Sequence, residues 1–393
     1  YDPNLFVDGI STQDWKALSD SPDHPMLHRA IYSTYPPGST FKPFMALAGL
    51  ETGKRTAKQA IHDVGYFNFG GHRFMDDKIG GHGMVDLHKS IVVSCNTYYY
   101  QLANDLGIEG IAGFFAPFGF GERTGIDLPG EATGVLPSPE WKRQRFKKPE
   151  QQRWYAGETI SVGIGQGYNA YTPLQLANAL AALVNQGKLF RPHVVKYVVD
   201  SRTGERRAVE PEPLREIPLR DANLKAVLDA MVDVNRTGTG KRAFKGAPYS
   251  VGGKTGTAQV FSLRGQRYVE GRVRERLRDH SWFVAYAPAE NPRIALAVLV
   301  ENGGFGAQSA APIARQVIDY YLLDQRAGAP AAEDEEGAES EEGAESGGDA
   351  LPASRAVEPA APQEAPPAPV PSRPATPPAA VPAPQPAAAR SAR

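Results

Sequence analysis

Apolar residues follow two different patterns along this chain, and the change from one to the other divides it. Residues 40–50 (TFKPFMALAGL) are nearly all apolar and predict a buried helix, entered through the turn-forming Pro36-Pro37-Gly38. Pro43 fits such a helix only in its first turn, which places the helix start near Ser39. Residues 88–107 predict a second helix ended by a glycine. Residues 172–186 predict a third, with Pro173 near its start and Gly187 after its end, and 214–234 contain a fourth. The pattern then shifts to short β-rich runs at 249–261, 282–287 and 294–300. The last two are joined by 288–292, which holds the turn-favouring Asn291-Pro292. Residues 311–323 return to helix. Helices, then a meander of neighbouring strands, then a closing helix predict an α+β fold: a mainly antiparallel sheet with helices packed on it. The polar stretch 138–153 and the basic stretch 264–278 are expected as surface excursions with solvated charges.

Composition marks a boundary near residue 325. Beyond it the chain turns acidic and then Pro/Ala-rich, and EEGAES at 335–340 repeats at 341–346. Almost no large apolar residue remains to offset the entropy cost of ordering, so 326–393 is expected to be disordered and 1–325 to form the folded domain. From Ala327 onward there are 11 acidic and 4 basic residues, so the near-neutral total hides a mildly basic body. That charge suits an anionic polymer or acidic peptide, and nothing in it asks for a nucleic acid. The one cysteine, Cys95, excludes an internal disulfide. No apolar run reaches the ~18 residues that a membrane helix needs. The abrupt start at Tyr1 reads as a piece of a longer protein, with any anchor expected outside this sequence.

Three short motifs carry the candidate chemistry. Ser39-Thr40-Phe41-Lys42 stands at a predicted helix start. Positions i and i+3 share a helix face, so the Lys42 amine is expected beside the Ser39 hydroxyl. A serine is a weak nucleophile until a neighbour takes its proton, and a lysine kept neutral by burial can do so. Ser94-Cys95-Asn96 is expected on the second helix, with Ser94 relaying a proton and Asn96 donating to substrate. Lys254-Thr255-Gly256-Thr257 opens a predicted strand. Gly256 lets a substrate backbone approach the strand edge, and Lys254 with the threonine hydroxyls suits a carboxylate. The Thr257 N–H, paired with that of Ser39, would form an oxyanion hole. Each motif alone also fits an ordinary cap, helix surface or glycine turn; their order and local setting decide between the two.

That order is the one shared by penicillin-binding proteins and class A β-lactamases. The segments YPPGSTFKP (35–43) and GIGQGYNAYTPLQLA (163–177) resemble class B penicillin-binding proteins. The run 80–100, with its Ser94-Cys95-Asn96-Thr97 ending, resembles their elongation branch, penicillin-binding protein 2. Gly-x-Gly-x-Gly within 163–167 neither follows a strand nor enters a helix directly, so it is not read as a nucleotide site. The resemblance covers roughly residues 1–323, with a short pedestal remnant before Tyr35. It implies the serine β-lactamase/penicillin-binding protein transpeptidase fold and a serine-type D-Ala-D-Ala transpeptidase. Ser39 would form the acyl-enzyme, Lys42 would be the base, and Ser94 and Asn96 would move protons and position substrate. Lys254, Thr255 and Thr257 would hold the carboxylate. β-Lactams would trap Ser39. β-Lactamase, D,D-carboxypeptidase and a non-turnover penicillin sensor use the same motifs and remain alternatives.

Catalysis of this kind needs no cofactor. A second group, Asp63, Asp76, His82 and Cys95, falls within about 33 residues; carboxylate, imidazole and thiolate are zinc ligands, but the same residues also fit a buried free cysteine with Asp and His in surface turns. The pattern resembles a zinc-binding stretch of penicillin-binding protein 2 relatives, and that resemblance implies a structural zinc. His62, His72 and Asp77 are the substitutes if the register differs. The same resemblance implies stem peptides of peptidoglycan as substrate, a RodA-type glycosyltransferase and a MreC-type scaffold as partners, and a place at the periplasmic face of the inner membrane.

Overall fold

The computed structural model describes residues 1–260 and 274–324. The tail expected to be disordered, and most of the basic excursion at 264–278, lie outside the described residues. The first apolar run forms a 3-10 turn, Gly38–Phe41, leading into helix α1, Lys42–Glu51, with Pro43 in the first turn, where it displaces no hydrogen bond. Nine of the ten residues of α1 are buried, Lys42 among them. A small β-rich excursion follows, which the short alternating runs did not reveal. Strand β1, Ile61–Asp63, encloses a hairpin of β2, Tyr66–Phe69, and β3, His72–Met75, and pairs with β4, Gly83–Val85.

The predicted single helix over 88–107 is two. Helix α2, Leu87–Val92, stops, and α3 starts at Asn96 and continues to Phe115. Ser94 sits between them with φ +61°, a left-handed conformation that ends a helix. At Gly107 (φ +70°, ψ +166°) the backbone leaves the helical conformation, as its glycine predicts, and a second helical segment of α3 runs on to Phe115. Helix α4, Pro173–Val184, has the cap that its sequence announces: Thr172 Oγ1 accepts from Gln175 N–H, and Gln175 reaches back to the Thr172 N–H. Helix α5 begins at Asp221, with 212–216 before it extended as a strand, and runs to Arg236.

The three β-rich runs become β5, Gly252–Ala258, β6, His280–Ala287, and β7, Ile294–Val300, an antiparallel sheet in the order β7-β6-β5. Helix α6, Ala310–Leu323, closes the body. Side chains alternate across β6 and build two cores. Trp282, Val284 and Tyr286 join the main core with α1, α3, α4 and α5. Phe283, Ala285 and Ala287 face Ala310, Ala311, Ala314 and Ile318 of α6. Among the described residues no strand pairs with β5 on the side away from β6, and the functional motifs gather at this free edge. The polar stretch 138–153 is mostly exposed, as expected, yet it anchors inward through Lys142, which donates to Glu158 and to the Arg153 carbonyl. Among the described residues no helix is long and apolar enough to cross a membrane.

An aromatic cluster supports the Gly38–Phe41 turn from below. Phe41 stacks on Phe115 at 4.0 Å and meets Phe120 and Tyr171, while Phe44 meets Phe118 and Phe120 edge-on. Phe115 is fully buried at the centre of this cluster. Phe115→Ala is expected to cost about 3–5 kcal/mol in urea unfolding, the range for a buried phenylalanine truncated in a core. A loss under about 1 kcal/mol would mean that the cluster does not support the turn.

Candidate active site

The Gly38–Phe41 turn presents Ser39 half-exposed, while Gly38, Thr40 and Phe41 are buried. The turn is held on three sides. Thr40 Oγ1 donates to the Pro37 carbonyl at 2.7 Å, and Trp282 Nε1 donates to the Pro36 carbonyl at 3.0 Å. The Gly38 N–H donates to the Gly165 carbonyl at 3.0 Å. Gly38 has φ +54°, and a Cβ there would lie 2.4 Å from the Thr257 carbonyl oxygen. Only glycine lets the nucleophile turn sit this close to β5.

The second motif departs from its expected place. Ser94 and Cys95 occupy the break between α2 and α3, and Asn96 opens α3. The break turns the Ser94 side chain and carbonyl toward the two lysines. Lys42 Nζ donates to Ser94 O at 2.5 Å, Asn96 Oδ1 at 2.7 Å and Ser94 Oγ at 3.1 Å. Lys254 Nζ donates to the same Ser94 Oγ at 2.9 Å and to Thr255 O at 3.1 Å. The expectation that Lys42 lies against the Ser39 hydroxyl is thus modified. Among the described residues its amine bonds to Ser94 and Asn96, and Ser39 Oγ has no hydrogen bond to it. The cause is the left-handed Ser94, which supplies two acceptors at once to an amine that is otherwise wholly buried.

Burial pushes the Lys42 amine below its ordinary range, against the raising pull of Asp77 and Asp76. Burial pushes Lys254 further down, and the charge of Lys42 adds to it. The two buried amines share one hydroxyl, so both cannot keep a full charge without cost, and they behave as a coupled unit. On β5, Thr255 is buried, Gly256 packs under Thr40 and Trp282, and Thr257 is half-exposed at the free edge. Sequence reasoning missed Thr239, whose hydroxyl lies 2.7 Å from that of Thr255. Its only signal was the glycine-punctuated Thr237-Gly238-Thr239-Gly240 ahead of the third motif.

The metal-ligand group does come together. The ligand atoms of Asp63, Asp76, His82 and Cys95 all lie within 4.8 Å of one another. His82 Nδ1 is 2.8 Å from Asp63 Oδ2 and 3.6 Å from Asp76 Oδ1, and Cys95 Sγ is 3.5 and 3.4 Å from the two carboxylates. Tetrahedral bonds of ~2.0–2.3 Å imply ligand-to-ligand edges of about 3.5 Å, so the donor set fits zinc. The alternatives His62 and His72 are exposed on the strands and outside the group. Burial and the charge of Asp76 push the Cys95 thiol well up, so it holds its proton. Asp76 also accepts the Thr97 N–H at 2.7 Å, which ties the 61–85 excursion to the start of α3, beside Asn96.

Comparison with known proteins agrees with this geometry. The "Penicillin binding protein transpeptidase domain" family matches residues 1–319. A peptidoglycan D,D-transpeptidase MrdA of Acinetobacter baumannii is 45% identical over 336 residues, 83% of this chain and 48% of that protein. The chain thus spans about half the length of the curated relatives it matches. A crystal structure of Pseudomonas aeruginosa PBP2 in complex with WCK 5153 is similar at TM-score 0.71 and 43% identity, covering 83% of this chain and 67% of that one. Helicobacter pylori PBP2 in complex with MreC is similar at TM-score 0.69 and 31% identity, covering 82% of this chain and 56% of that one. With the fold, the three motifs and these matches in agreement, the chain belongs to the penicillin-binding protein transpeptidase family.

Proposed function

We propose that this chain is the acyl-transfer domain of a peptidoglycan D,D-transpeptidase of cell elongation. The observation that carries the reading is the meeting of Lys42 and Lys254 on the Ser94 hydroxyl, beside a nucleophile turn seated against Thr257. Ser39 attacks the carbonyl of the penultimate D-Ala of a donor stem peptide. Lys42, in its uncharged form, takes the Ser39 proton. Ser94 passes a proton between the lysines and the leaving D-Ala amine, and Asn96 holds Lys42 and the substrate backbone. Thr255, Thr257 and Lys254 receive the terminal carboxylate. Gly256 lets the peptide lie along the β5 edge, and the Ser39 and Thr257 amides stabilise the oxyanion. An acceptor amine then resolves the ester. β-Lactams enter by the same steps and stop at the acyl-enzyme.

Asp63, Asp76, His82 and Cys95 would hold a zinc ion whose part is structural, fixing the 61–85 excursion to α3; no catalytic step passes through it. The PBP2–MreC complex of Helicobacter pylori supports a MreC-type scaffold as partner, and a RodA-type glycosyltransferase follows from the resemblance at 80–100. The protein would work at the periplasmic face of the inner membrane, with its anchor outside this sequence. The folded domain would end near residue 325.

Brief incubation with benzylpenicillin is expected to add one drug mass per chain, and Ser39→Ala to abolish the adduct. Consumption of the drug without an adduct would instead identify a β-lactamase. Because burial lowers the Lys42 pKa, the acylation rate is expected to rise with pH as Lys42 loses its proton, below the ordinary lysine value of 10.5. The unfolded chain binds more protons in that window, so stability rises with pH across it as well. A flat acylation profile across the whole range from pH 4 to 10 would remove Lys42 from the base role. Metal analysis is expected to find about one zinc per chain. Cys95→Ser should lose it and melt lower, while equal melting of a metal-free protein would remove the zinc.

A further inference from the structure

The segment 163–167, GIGQG, is set aside above as a nucleotide site and has no role in the chemistry just described. Its position gives it one. The Gly165 carbonyl accepts the Gly38 N–H at 3.0 Å, and the next residue, Gln166, donates from Nε2 to the Thr257 carbonyl at 3.0 Å. Gly38 precedes Ser39, and Thr257 carries the other oxyanion donor. Two consecutive residues therefore grip both halves of the oxyanion hole. The approach is tight: a Cβ on Gly165 would lie 2.2 Å from the Gly38 carbonyl oxygen, and Gly165 has φ +73°.

The orientation of Thr257 explains why a bond to its carbonyl matters. In an antiparallel strand the N–H and C=O of one residue point to the same edge. The Thr257 carbonyl faces Gln166 and Gly38, off the free edge of β5, so its N–H faces the cleft too. Rotation of either peptide beside Thr257 would swing that N–H away from the reacting carbonyl. Among the described residues no neighbouring strand at this edge resists the rotation, and Gln166 stands where a strand partner would.

Gln166 is itself held. Asn169 Nδ2 donates to the Gln166 carbonyl at 2.8 Å and to the Val162 carbonyl at 3.1 Å. The Asn169 Oδ1 accepts from the Tyr171 hydroxyl at 2.8 Å, and Asn169 and Tyr171 are both buried. Tyr171 in turn pairs backbone to backbone with Tyr35, at the start of the nucleophile segment. The path from Tyr35 through Tyr171, Asn169 and Gln166 to Thr257 closes a ring around the hole.

We infer that Gln166 is a positioning residue of the acyl-transfer reaction, which fixes the Thr257 N–H as an oxyanion donor through its carbonyl. The inference rests on the serine acyl-enzyme reading proposed above. Gln166 is half-exposed and outside the core, so its substitution should leave the fold intact. Loss of an oxyanion donor itself costs ~10²–10³-fold in rate, and loss of its positioning should cost somewhat less, roughly 10- to 100-fold.

The test uses benzylpenicillin with wild type, Gln166→Met and Gln166→Glu. Methionine keeps the length without a donor, and glutamate sets a carboxylate against the Thr257 carbonyl. Three quantities are read: the acylation rate constant apart from the non-covalent dissociation constant, the melting temperature, and the infrared ester carbonyl band of the acyl-enzyme. The expected result is a 10- to 100-fold slower acylation in both variants, with the dissociation constant and melting temperature little changed. The ester band should move to higher wavenumber, as the carbonyl loses hydrogen bonding in the hole. Unchanged acylation in both variants, or slowed acylation with an unshifted band, would overturn the inference. If wild type forms no acyl-enzyme, it is the underlying reading that fails, and the two failures are distinguished by that control.

Discussion

Two buried lysines sharing one serine hydroxyl is the constraint on which the rest of this site depends. Lys42 and Lys254 come from elements more than 200 residues apart in the chain, a helix start and a strand, and both are fully buried. An ammonium group taken out of water is costly unless it loses its proton or finds acceptors. Here the acceptors are Ser94 O, Ser94 Oγ, Asn96 Oδ1 and Thr255 O. These are too few to hold two full charges comfortably, and both amines are depressed. The strain of burying them and the chemistry they perform have one origin.

Ser94 can serve both amines because it lies outside any helix. Its left-handed backbone ends α2 and turns its carbonyl and hydroxyl toward the same pocket. The Asp63, Asp76, His82 and Cys95 group sits immediately behind this junction, and Asp76 bonds to the Thr97 N–H. A metal held there would stiffen the break that supplies the acceptors. On the other side, the nucleophile turn rests on the Phe41–Phe115 stack and is pressed to β5 by glycines at 38 and 165. The site is therefore rigid on each flank, as a preorganised oxyanion hole requires.

Much of this was legible in the sequence. Pro43 marked the helix start, Pro173 the start of α4, and the short β-rich runs 282–287 and 294–300 the central strands. The metal-ligand group was readable because its residue types are few and close together. What escaped has physical reasons. The break at Ser94 was hidden because apolar spacing continues through 88–107, and one residue with positive φ changes direction without changing composition. The strands between Ile61 and Val85 are three or four residues long, too short for a period of two to register. Thr239 and Gln166 act through single hydrogen bonds to residues far off in sequence, and no local pattern encodes such a bond.

The account stands or falls on the proton state of the lysine pair. The direct measurement is an NMR titration of lysines labelled at Cε and Nζ, with Lys42 and Lys254 assigned from single substitutions. The account predicts two resonances that titrate below the surface lysines, and a Lys254 resonance that moves upward when Lys42 is replaced by methionine. Two lysines titrating with the surface population near 10.5, indifferent to one another, would contradict it.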